Sequence, residues 1–221
     1  MFVKVCGTTS EEDALLAVAL GADALGFVFA PSPRQVATSV VAHIARRIPP
    51  EVITVGVFSN ETPERVVEVV NTVGLKGAQL HGNESPEATR WVAERVGVTI
   101  KAFAAGQRAI SNAADYRADV VLLDAPSPGS GKVFDWRLAE GVVDGSRLLL
   151  AGGLDAMNVG EAIARVHPWG VDVVTGVEGE PGHKDARKMR AFVATAREAA
   201  VLIEERDEPV EVAPYDWEQE G

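Results

Sequence analysis

Residues 52–74, VITVGVFSNETPERVVEVVNTVG, contain one complete strand-then-helix unit. The apolar first part predicts a buried strand, and Thr62 followed by Pro63 predicts a helix start, because threonine caps a first turn that proline also fits. Gly74 predicts the end of that helix. Residues 77–97, GAQLHGNESPEATRWVAERVG, repeat the scheme, with serine, proline and a final glycine at the same places. Repeated strand–helix units are typical of a parallel sheet covered by helices.

Apolar runs rich in β-branched residues predict eight strands along the chain, at residues 2–6, 24–29, 52–58, 77–80, 98–103, 119–124, 147–151 and 171–174. Helical patterns separate these strands, the first of them between Ser10 and Gly21. The helical patterns are weak only after the fifth and sixth strands, at residues 108–117 and 135–143. Eight such units in 221 residues favour a single closed (β/α)8 TIM barrel, with a doubly wound open sheet as the alternative.

Two glycine-containing stretches fail to match nucleotide-binding motifs. A dinucleotide-binding fold carries G-x-G-x-x-G after its first strand, whereas CGTTSE at residues 6–11 has a single glycine. The stretch PSPGSGKV departs from a P-loop, because Pro126 stands where the first glycine belongs and Val133 where serine or threonine belongs. Neither stretch therefore favours a nucleotide as the ligand.

The overall composition argues against several classes of partner. The formal net charge of −11 predicts no nucleic-acid or anionic-membrane partner, because both are bound largely through clustered lysine and arginine. No apolar run approaches the roughly 20 residues of a membrane-spanning helix. The N-terminus becomes acidic too early for a signal peptide, so we expect a cytoplasmic protein. Cys6 is the only cysteine, and any function it has must use the free thiol.

The end of the chain differs in composition from the rest. We expect residues 1–202 to form the catalytic barrel and residues 203–221 to form an acidic tail. The stretch EERDEPVEVAPYDWEQEG carries eight acidic residues against one arginine, which is typical of a solvated segment. The alternative is that Tyr215 and Trp217 pack against the barrel.

The carboxyl ends of the predicted strands carry mostly polar side chains and glycines. In a TIM barrel these ends and the loops that follow them form the active face. Alternation along the first strand places Lys4 and Cys6 on the side opposite to Val3 and Val5, so Cys6 is expected to point into the barrel mouth. Strand 8 closes onto strand 1, which predicts an internal ion pair between Lys4 and Asp172. The candidate site residues are Cys6, Arg34, Gln79, His81, Asp124, Gly152, Gly153, Thr175 and Gly176.

Most of these candidates also have an ordinary structural interpretation. A lone cysteine such as Cys6 is usually an inert small apolar residue. Asp124 could cap a turn, His81 could be a turn residue, and Arg34 between prolines could simply be solvated. The glycine-containing loops after strands 7 and 8 are more specific, because such loops often present backbone N–H groups to a phosphate.

Seven stretches in order resemble the phosphoribosylanthranilate isomerase family of tryptophan biosynthesis, from residue 3 to about residue 197. They are KVCGTTSEEDA, GADALGFVFAPSPR, VGVFSNETPE, QLHGNESPE, LLDAPSPGSGKVFDW, LAGGLDAMNV and VDVVTGVEGEPGHKD. The resemblance implies a TIM barrel without cofactor or metal. It also implies an Amadori rearrangement of N-(5-phosphoribosyl)anthranilate to 1-(2-carboxyphenylamino)-1-deoxyribulose 5-phosphate. Thr8 and Val174 depart from the usual family pattern, in which isoleucine and a small polar residue are common.

The resemblance implies a role for most of the candidate residues. Cys6 resembles the general base that removes the proton from C2 of the sugar, and Asp124 resembles the general acid that protonates the ring oxygen. Arg34 resembles the residue that holds the anthranilate carboxylate. Gln79 and His81 are further candidate substrate contacts. The phosphate is expected at the glycine-containing loops, with Gly152, Gly153, Thr175 and Gly176.

Other proteins of the same fold fit the residues less well. The sister isomerase of histidine biosynthesis would present carboxylates on strands 1 and 5, whereas strand 1 offers Cys6 and strand 5 ends in IKAF. Indole-glycerol-phosphate synthase would need its own set of lysine and glutamate residues, and Lys101 alone is only a partial match. A metal-dependent epimerase would need several His and Asp ligands, and only His81 is in place. A non-catalytic phosphosugar-sensing barrel is the alternative from another class. In each case the ligand is a small phosphosugar, and the protein is expected to be a monomer or a homodimer.

Overall fold

The computed structural model describes residues 1–125, 136 and 147–207, with side chains up to residue 203. Eight parallel strands follow each other around a closed barrel in chain order. Strand β1 pairs with β2 on one side and with β8 on the other, which excludes the open-sheet alternative. The prediction of a single TIM barrel is confirmed. The strands are β1 Phe2–Val5, β2 Ala24–Val28, β3 Ile53–Phe58, β4 Gly77–Leu80, β5 Val98–Ala104, β6 Val120–Asp124, β7 Arg147–Leu150 and β8 Gly170–Val173.

Six α-helices flank the strands in the described part of the chain. The Thr62 hydroxyl accepts a hydrogen bond from the backbone N–H of Arg65 at 3.3 Å, and Gly74 ends the same helix with φ 79°. These two predicted boundaries are confirmed. Gly97 is not a helix end, because its helix already ends at Ala93. The helices are α1 Glu11–Ala19, α2 Thr38–Ala45, α3 Pro63–Val73, α4 Pro86–Ala93, α5 Val159–Val166 and α6 Ala186–Asp207.

The weakly patterned segments have different outcomes. After β5 the chain forms a 3₁₀ helix over Arg108–Tyr116 instead of an α-helix. The segment after β6, predicted at residues 135–143, lies outside the described residues apart from Trp136. Helix α6 continues through residues 203–207, within the range predicted as the acidic tail. Tyr215 and Trp217 also lie outside the described residues, so the division between barrel and tail stays a prediction.

The barrel has two apolar layers, one inside the strands and one between strands and helices. On β1, Val3 and Val5 are fully buried in the outer layer, where they belong to the same cluster as helix residues such as Phe192. On β6, Leu122 packs in the inner layer with Val55 and other strand residues. Burying side chains of this size stabilises the fold by about 1.5–3 kcal/mol each. The strand alternation predicted from the sequence therefore holds in the structure.

A short antiparallel hairpin that the strand pattern did not predict lies after β8. Its strands are β9 Glu178–Glu180 and β10 His183–Lys184, joined through Gly182 at φ 84°. Glycine suits this turn because its backbone adopts positive φ without strain. The hairpin brings Glu178 and Lys184 to the carboxyl end of the barrel, next to the candidate site.

None of the helices in the described ranges has the length and apolarity needed to cross a bilayer.

Candidate active site

A cavity of about 240 Å³ lies at the carboxyl ends of the barrel strands. Eight of the nine predicted site residues line it. They are Cys6, Arg34, Gln79, His81, Asp124, Gly152, Gly153 and Thr175. The cavity therefore brings together residues contributed by β1, β4 and β6 and by the loops after β2, β7 and β8. Within residues 1–125, 136 and 147–207, no group of three or more His, Cys, Asp or Glu side chains is placed to hold a metal ion.

Cys6 follows β1 directly and lines the cavity, as the alternation of this strand predicted. Its side chain is buried, and its backbone N–H donates to the carbonyl of Val173 at 2.9 Å. The sulfur packs against the backbone of Gly26 on the neighbouring strand β2. A Cβ atom built on Gly26 would lie only 2.4 Å from Sγ. The glycine in the middle of β2 therefore makes room for the thiol, and such a strand glycine is a signal for close approach that the sequence analysis missed.

Replacing Gly26 by alanine is expected to lower kcat/KM by about a hundredfold, because a shift of Cys6 of about 1 Å is enough for a loss of that size. The added methyl group has no alternative position, since the strand backbone holds both residues. Gly160→Ala in α5 is the matched control, because its added Cβ would meet only the Thr195 methyl at 3.5 Å. Kinetics of the two purified variants beside the wild type are the measurement. Equal kcat/KM in both variants would contradict the expectation.

A buried charge cluster surrounds Cys6. Lys4 Nζ donates to Asp172 Oδ1 at 2.8 Å, and the Lys4 side chain is completely buried, so the predicted internal ion pair is confirmed. Lys184 on β10 donates to the Cys6 carbonyl at 2.6 Å and lies 3.3 Å from Glu178 Oε1. Burial raises the pKa of the Cys6 thiol above its ordinary value, although Lys4 and Lys184 both act to lower it. Burial is thus the dominant influence on the pKa of the thiol.

Asp124 ends β6 and faces a second set of polar groups. One carboxyl oxygen, Oδ1, accepts the backbone N–H of Ala125 at 2.7 Å. The other, Oδ2, lies 3.3 Å from His81 Nε2. Gln79 Nε2 lies 2.9 Å from His81 Nδ1. The two residues predicted as substrate contacts are therefore close to each other, and His81 lies beside the Asp124 carboxyl group.

Arg34 lines the cavity but already has a partner within the protein. Its Nε and Nη2 groups donate to the two carboxyl oxygens of Glu178 at 3.0 and 2.7 Å. A guanidinium carries five N–H donors, so three remain for a second acceptor such as a substrate carboxylate. The hydrogen bonds that Arg34 donates to Glu178 raise the pKa of Arg34 above its ordinary value. The pairing with Glu178 was not predicted, because the two residues are far apart in the chain.

Glu178 itself should make the stability of the fold depend on pH. Burial alone would raise its pKa, but the hydrogen bond to Arg34 and the charge of Lys184 bring this pKa below its ordinary value of 4.5. A carboxyl group with a lowered pKa stabilises the fold fully above the unfolded value, and the stabilisation is lost as pH falls through the folded value. The free energy of unfolding of the wild type should therefore exceed that of Glu178→Gln near neutral pH, and the difference should shrink as pH falls below 4.5.

Urea unfolding of both proteins at a series of pH values measures this difference. The exposed Glu198 on α6, replaced by glutamine, is the control for the loss of one surface carboxylate. A difference between wild type and Glu178→Gln that stays constant down to acid pH would contradict the expectation.

The glycine-containing loops after β7 and β8 form one wall of the cavity. Gly152 and Gly153 have φ angles of 85° and 68°, a left-handed conformation that glycine adopts without strain. Thr175 lines the cavity beside them. Gly176 does not line it. A Cβ atom on Gly176 would lie 2.0 Å from the carbonyl oxygen of Leu154, so this glycine lets the two loops approach each other.

Lys101 is the one residue that partly matches the site of indole-glycerol-phosphate synthase. Its side chain makes its hydrogen bonds outside the cavity. Its Nζ atom lies 2.8 Å from Glu84 Oε2 and donates to the carbonyls of Leu80 and Gly82 at 3.2 and 2.8 Å. Glu84 in turn accepts the backbone N–H of Asn60 at 2.9 Å. Lys101 is not among the residues lining the cavity. The pair therefore ties together the loops after β3 and β4.

Comparison with known proteins agrees with the fold. The sequence profile of N-(5'phosphoribosyl)anthranilate (PRA) isomerase matches residues 3–195. The chain belongs to the phosphoribosylanthranilate isomerase family. A relative with this activity in its name, from Desulforudis audaxviator, is 50% identical over 204 residues, covering 89% of this chain and 98% of its own.

Solved structures of the phosphoribosylanthranilate isomerase family also match most of this chain. The enzyme from Thermus thermophilus superimposes with a TM-score of 0.85 at 42% identity, covering 90% of this chain and 99% of its own. Another member of the family was solved in complex with reduced 1-(o-carboxyphenylamino)-1-deoxyribulose 5-phosphate. It matches with a TM-score of 0.80 at 40% identity, again covering 90% of this chain and 99% of its own. The resemblance seen in the seven sequence stretches is therefore confirmed at the level of the family.

Proposed function

We propose that this chain converts N-(5'-phosphoribosyl)anthranilate to 1-(2-carboxyphenylamino)-1-deoxyribulose 5-phosphate, with Asp124 as general acid and Cys6 as general base. The observation that carries the proposal is that both side chains line one cavity in a member of the phosphoribosylanthranilate isomerase family. Strand β6 is three positions from β1 around the closed barrel, so the two groups lie on nearly opposite walls. An acid and a base in this arrangement can act on opposite sides of a bound sugar.

The reaction then proceeds by a series of proton transfers. Asp124 donates its proton to the furanose ring oxygen, the C1–O bond breaks, and the anthranilate nitrogen supplies the electron pair that forms the protonated Schiff base. The Cys6 thiolate next removes the proton from C2, and the C2–H electrons form the C1–C2 double bond of a neutral enolamine. The enolamine becomes the ketone when C1 gains a proton and the hydroxyl on C2 loses one. All of these steps are acid–base chemistry and need no electron acceptor, so the proposal includes no cofactor.

The remaining candidates hold the two ends of the substrate. The three free N–H groups of Arg34 suit the planar carboxylate of anthranilate. The backbone N–H groups of Gly152 and Gly153, with the Thr175 hydroxyl, suit the phosphate, whereas Gly176 lies outside the cavity lining. Gln79 and His81 stay candidate substrate contacts that also adjoin Asp124. The substrate has a planar carboxylate at one end and a tetrahedral phosphate at the other. The two anions differ in shape, so they suit different donors.

A direct assay separates this proposal from the non-catalytic alternative. Freshly prepared phosphoribosylanthranilate is mixed with the purified protein, and the loss of anthranilate-type fluorescence is followed. We expect rapid loss with the wild type, and a rate lower by orders of magnitude with the Cys6→Ser variant at the same concentration. Binding of the substrate without turnover would instead support a phosphosugar-sensing barrel. Turnover of the corresponding histidine-pathway substrate in place of this one would support the sister isomerase.

Three broader expectations stay predictions. They are the cytoplasmic location, the lack of nucleic-acid and membrane partners, and the occurrence as a monomer or a homodimer. Sedimentation equilibrium of the full chain measures the last of these directly.

A further inference from the structure

The charges buried around Cys6 do not balance while the thiol is neutral. Three cationic side chains and two carboxylates take part, joined in two ion pairs by distances of 2.7–2.8 Å and in a third contact of 3.3 Å. Four of them have almost completely buried side chains, and the fifth, from Arg34, is 12% exposed. They are Lys4, Asp172, Lys184, Glu178 and Arg34. The cluster therefore carries one net positive charge until Cys6 ionises, and ionisation of the thiol brings its charge to zero.

Lys4 is the cation in the cluster that faces the Cys6 side chain. The two residues alternate on β1, so their side chains point to the same side of the strand. Lys4 Nζ donates to Asp172 Oδ1 at 2.8 Å, and Cys6 is one of the neighbours that raise the pKa of Lys4. An ammonium has three N–H donors, so it can serve both partners at once. Lys184 differs, because its hydrogen bonds go to the backbone carbonyls of Cys6 and Val174 and to Glu178.

The electrostatic influence of each neighbour on Cys6 has a definite sign. Burial raises the pKa of the thiol, Lys4 lowers it, Asp172 raises it and Lys184 lowers it. The charge of Cys6 also contributes to raising the pKa of Arg34. Burial alone would lower the pKa of Lys4, but Asp172 and Cys6 together raise it above its ordinary value. Lys4 therefore stays charged beneath the sulfur throughout the neutral pH range.

We propose that Lys4 is a positioning residue of the reaction, whose ammonium group, fixed by Asp172, orients the Cys6 sulfur toward the cavity and supports its thiolate form. This inference rests on the proposed role of Cys6 as general base. Lys4 does not line the cavity, and it acts on the substrate only through the sulfur. The ion pair of Lys4 with Asp172 then serves catalysis as well as the barrel interior, where an ion pair is otherwise weak support for stability.

Two substitutions that break the same ion pair distinguish this role from a purely structural one. Lys4→Met removes the cation and leaves the carboxylate, whereas Asp172→Asn removes the carboxylate and leaves the cation. The proposal expects the pKa of the Cys6 thiol to rise in Lys4→Met and to fall in Asp172→Asn, because the two charges act on the thiol with opposite signs. Disruption of the barrel would affect both variants in the same direction. Because an unpaired charge can prevent folding, the neutral double variant Lys4→Met/Asp172→Leu provides a further protein in which neither charge remains.

Cys6 is the only cysteine, so its thiolate absorbance and its rate of alkylation by iodoacetamide report on this one group. A shift of one pKa unit changes the thiolate fraction about tenfold, and we expect alkylation near neutral pH to slow by about this factor in Lys4→Met and to accelerate in Asp172→Asn. The double variant should alkylate at a rate between those of the two single variants. Thiol pKa shifts of equal sign in the two single variants, or no shift of the thiol pKa in either, would overturn the proposal.

The pH dependence of kcat/KM tests the link to catalysis. In Lys4→Met we expect its acidic limb to move to higher pH together with the thiol pKa, and kcat to fall more than KM changes. If the thiol pKa moves and the kcat/KM profile does not, then Cys6 is not the base, and the proposed function of Cys6 fails along with the catalytic role of Lys4. If the thiol pKa does not move while Cys6→Ser is inactive, only the role of Lys4 fails.

Discussion

Replacing Cys6 by serine is expected to lower kcat by about a thousandfold while KM changes little, in line with the usual contribution of a general base. Serine is slightly smaller and fits against Gly26, where the cysteine sulfur already leaves no room for a Cβ atom. The loss therefore reflects chemistry more than packing. A hydroxyl group holds its proton far more tightly than a thiol, so it does not remove a proton from carbon at neutral pH.

The measurement is the fluorescence assay under saturating substrate. Thr54→Ser is the matched control, because Thr54 is a buried strand residue that does not line the cavity. Its hydroxyl contact with the backbone N–H of Lys76, at 3.3 Å, is retained by serine. The control should keep the wild-type kcat. A Cys6→Ser variant with kcat within about tenfold of the wild type would be too active for the proposed base.

Replacing Asp124 by asparagine is expected to cause a loss of similar size, about a thousandfold in kcat. The amide has almost the same shape, and its oxygen can still accept the backbone N–H of Ala125 that Asp124 accepts at 2.7 Å. It has no proton of suitable acidity to donate to the ring oxygen. The substrate should therefore still bind, but ring opening should become the slow step.

Strand β6 offers a matched control for this second substitution at its other end. Asp119 stands just before β6, and its carboxylate accepts the backbone N–H of Thr99 at 2.7 Å. It does not line the active cavity. Asp119→Asn should keep kcat and alter mainly the thermal stability. Equal losses of kcat in Asp119→Asn and Asp124→Asn would show that the effect comes from the strand and not from the acid.

The local sequence was sufficient for the elements and for most of the candidate site. Thr62, Pro63 and Gly74 mark the ends of α3 because caps and turns depend on a few neighbouring residues. The β6 strand could be predicted because an apolar run of this length is buried in the folded protein whatever its position in the chain. Strand ends in a parallel barrel meet at one face, so a list of the residues that follow the strands was also a list of most of the cavity lining.

The sequence was less informative where one local pattern is compatible with several local structures. Gly97 matched the helix-end pattern, but it is required by a different contact, since a Cβ there would lie 2.8 Å from the Lys76 carbonyl oxygen. The segment after β5 has a helical composition and forms a 3₁₀ helix. Such choices depend on packing against neighbouring elements, which a short window of sequence does not contain.

By itself, the sequence determined the eight strands, the closed parallel barrel, the family, and the placement of Cys6 and Lys4 on the inner side of β1. Only the tertiary structure decided which polar and charged groups of the site contact each other. Arg34 pairs with Glu178 across 144 residues of chain, and Lys184 reaches the Cys6 carbonyl across 178. Burial of the thiol and the gap at Gly26 likewise arise from several strands at once. The physical reason is that periodicity and capping are local, whereas charge pairing and desolvation depend on which distant segments the closed barrel brings into contact.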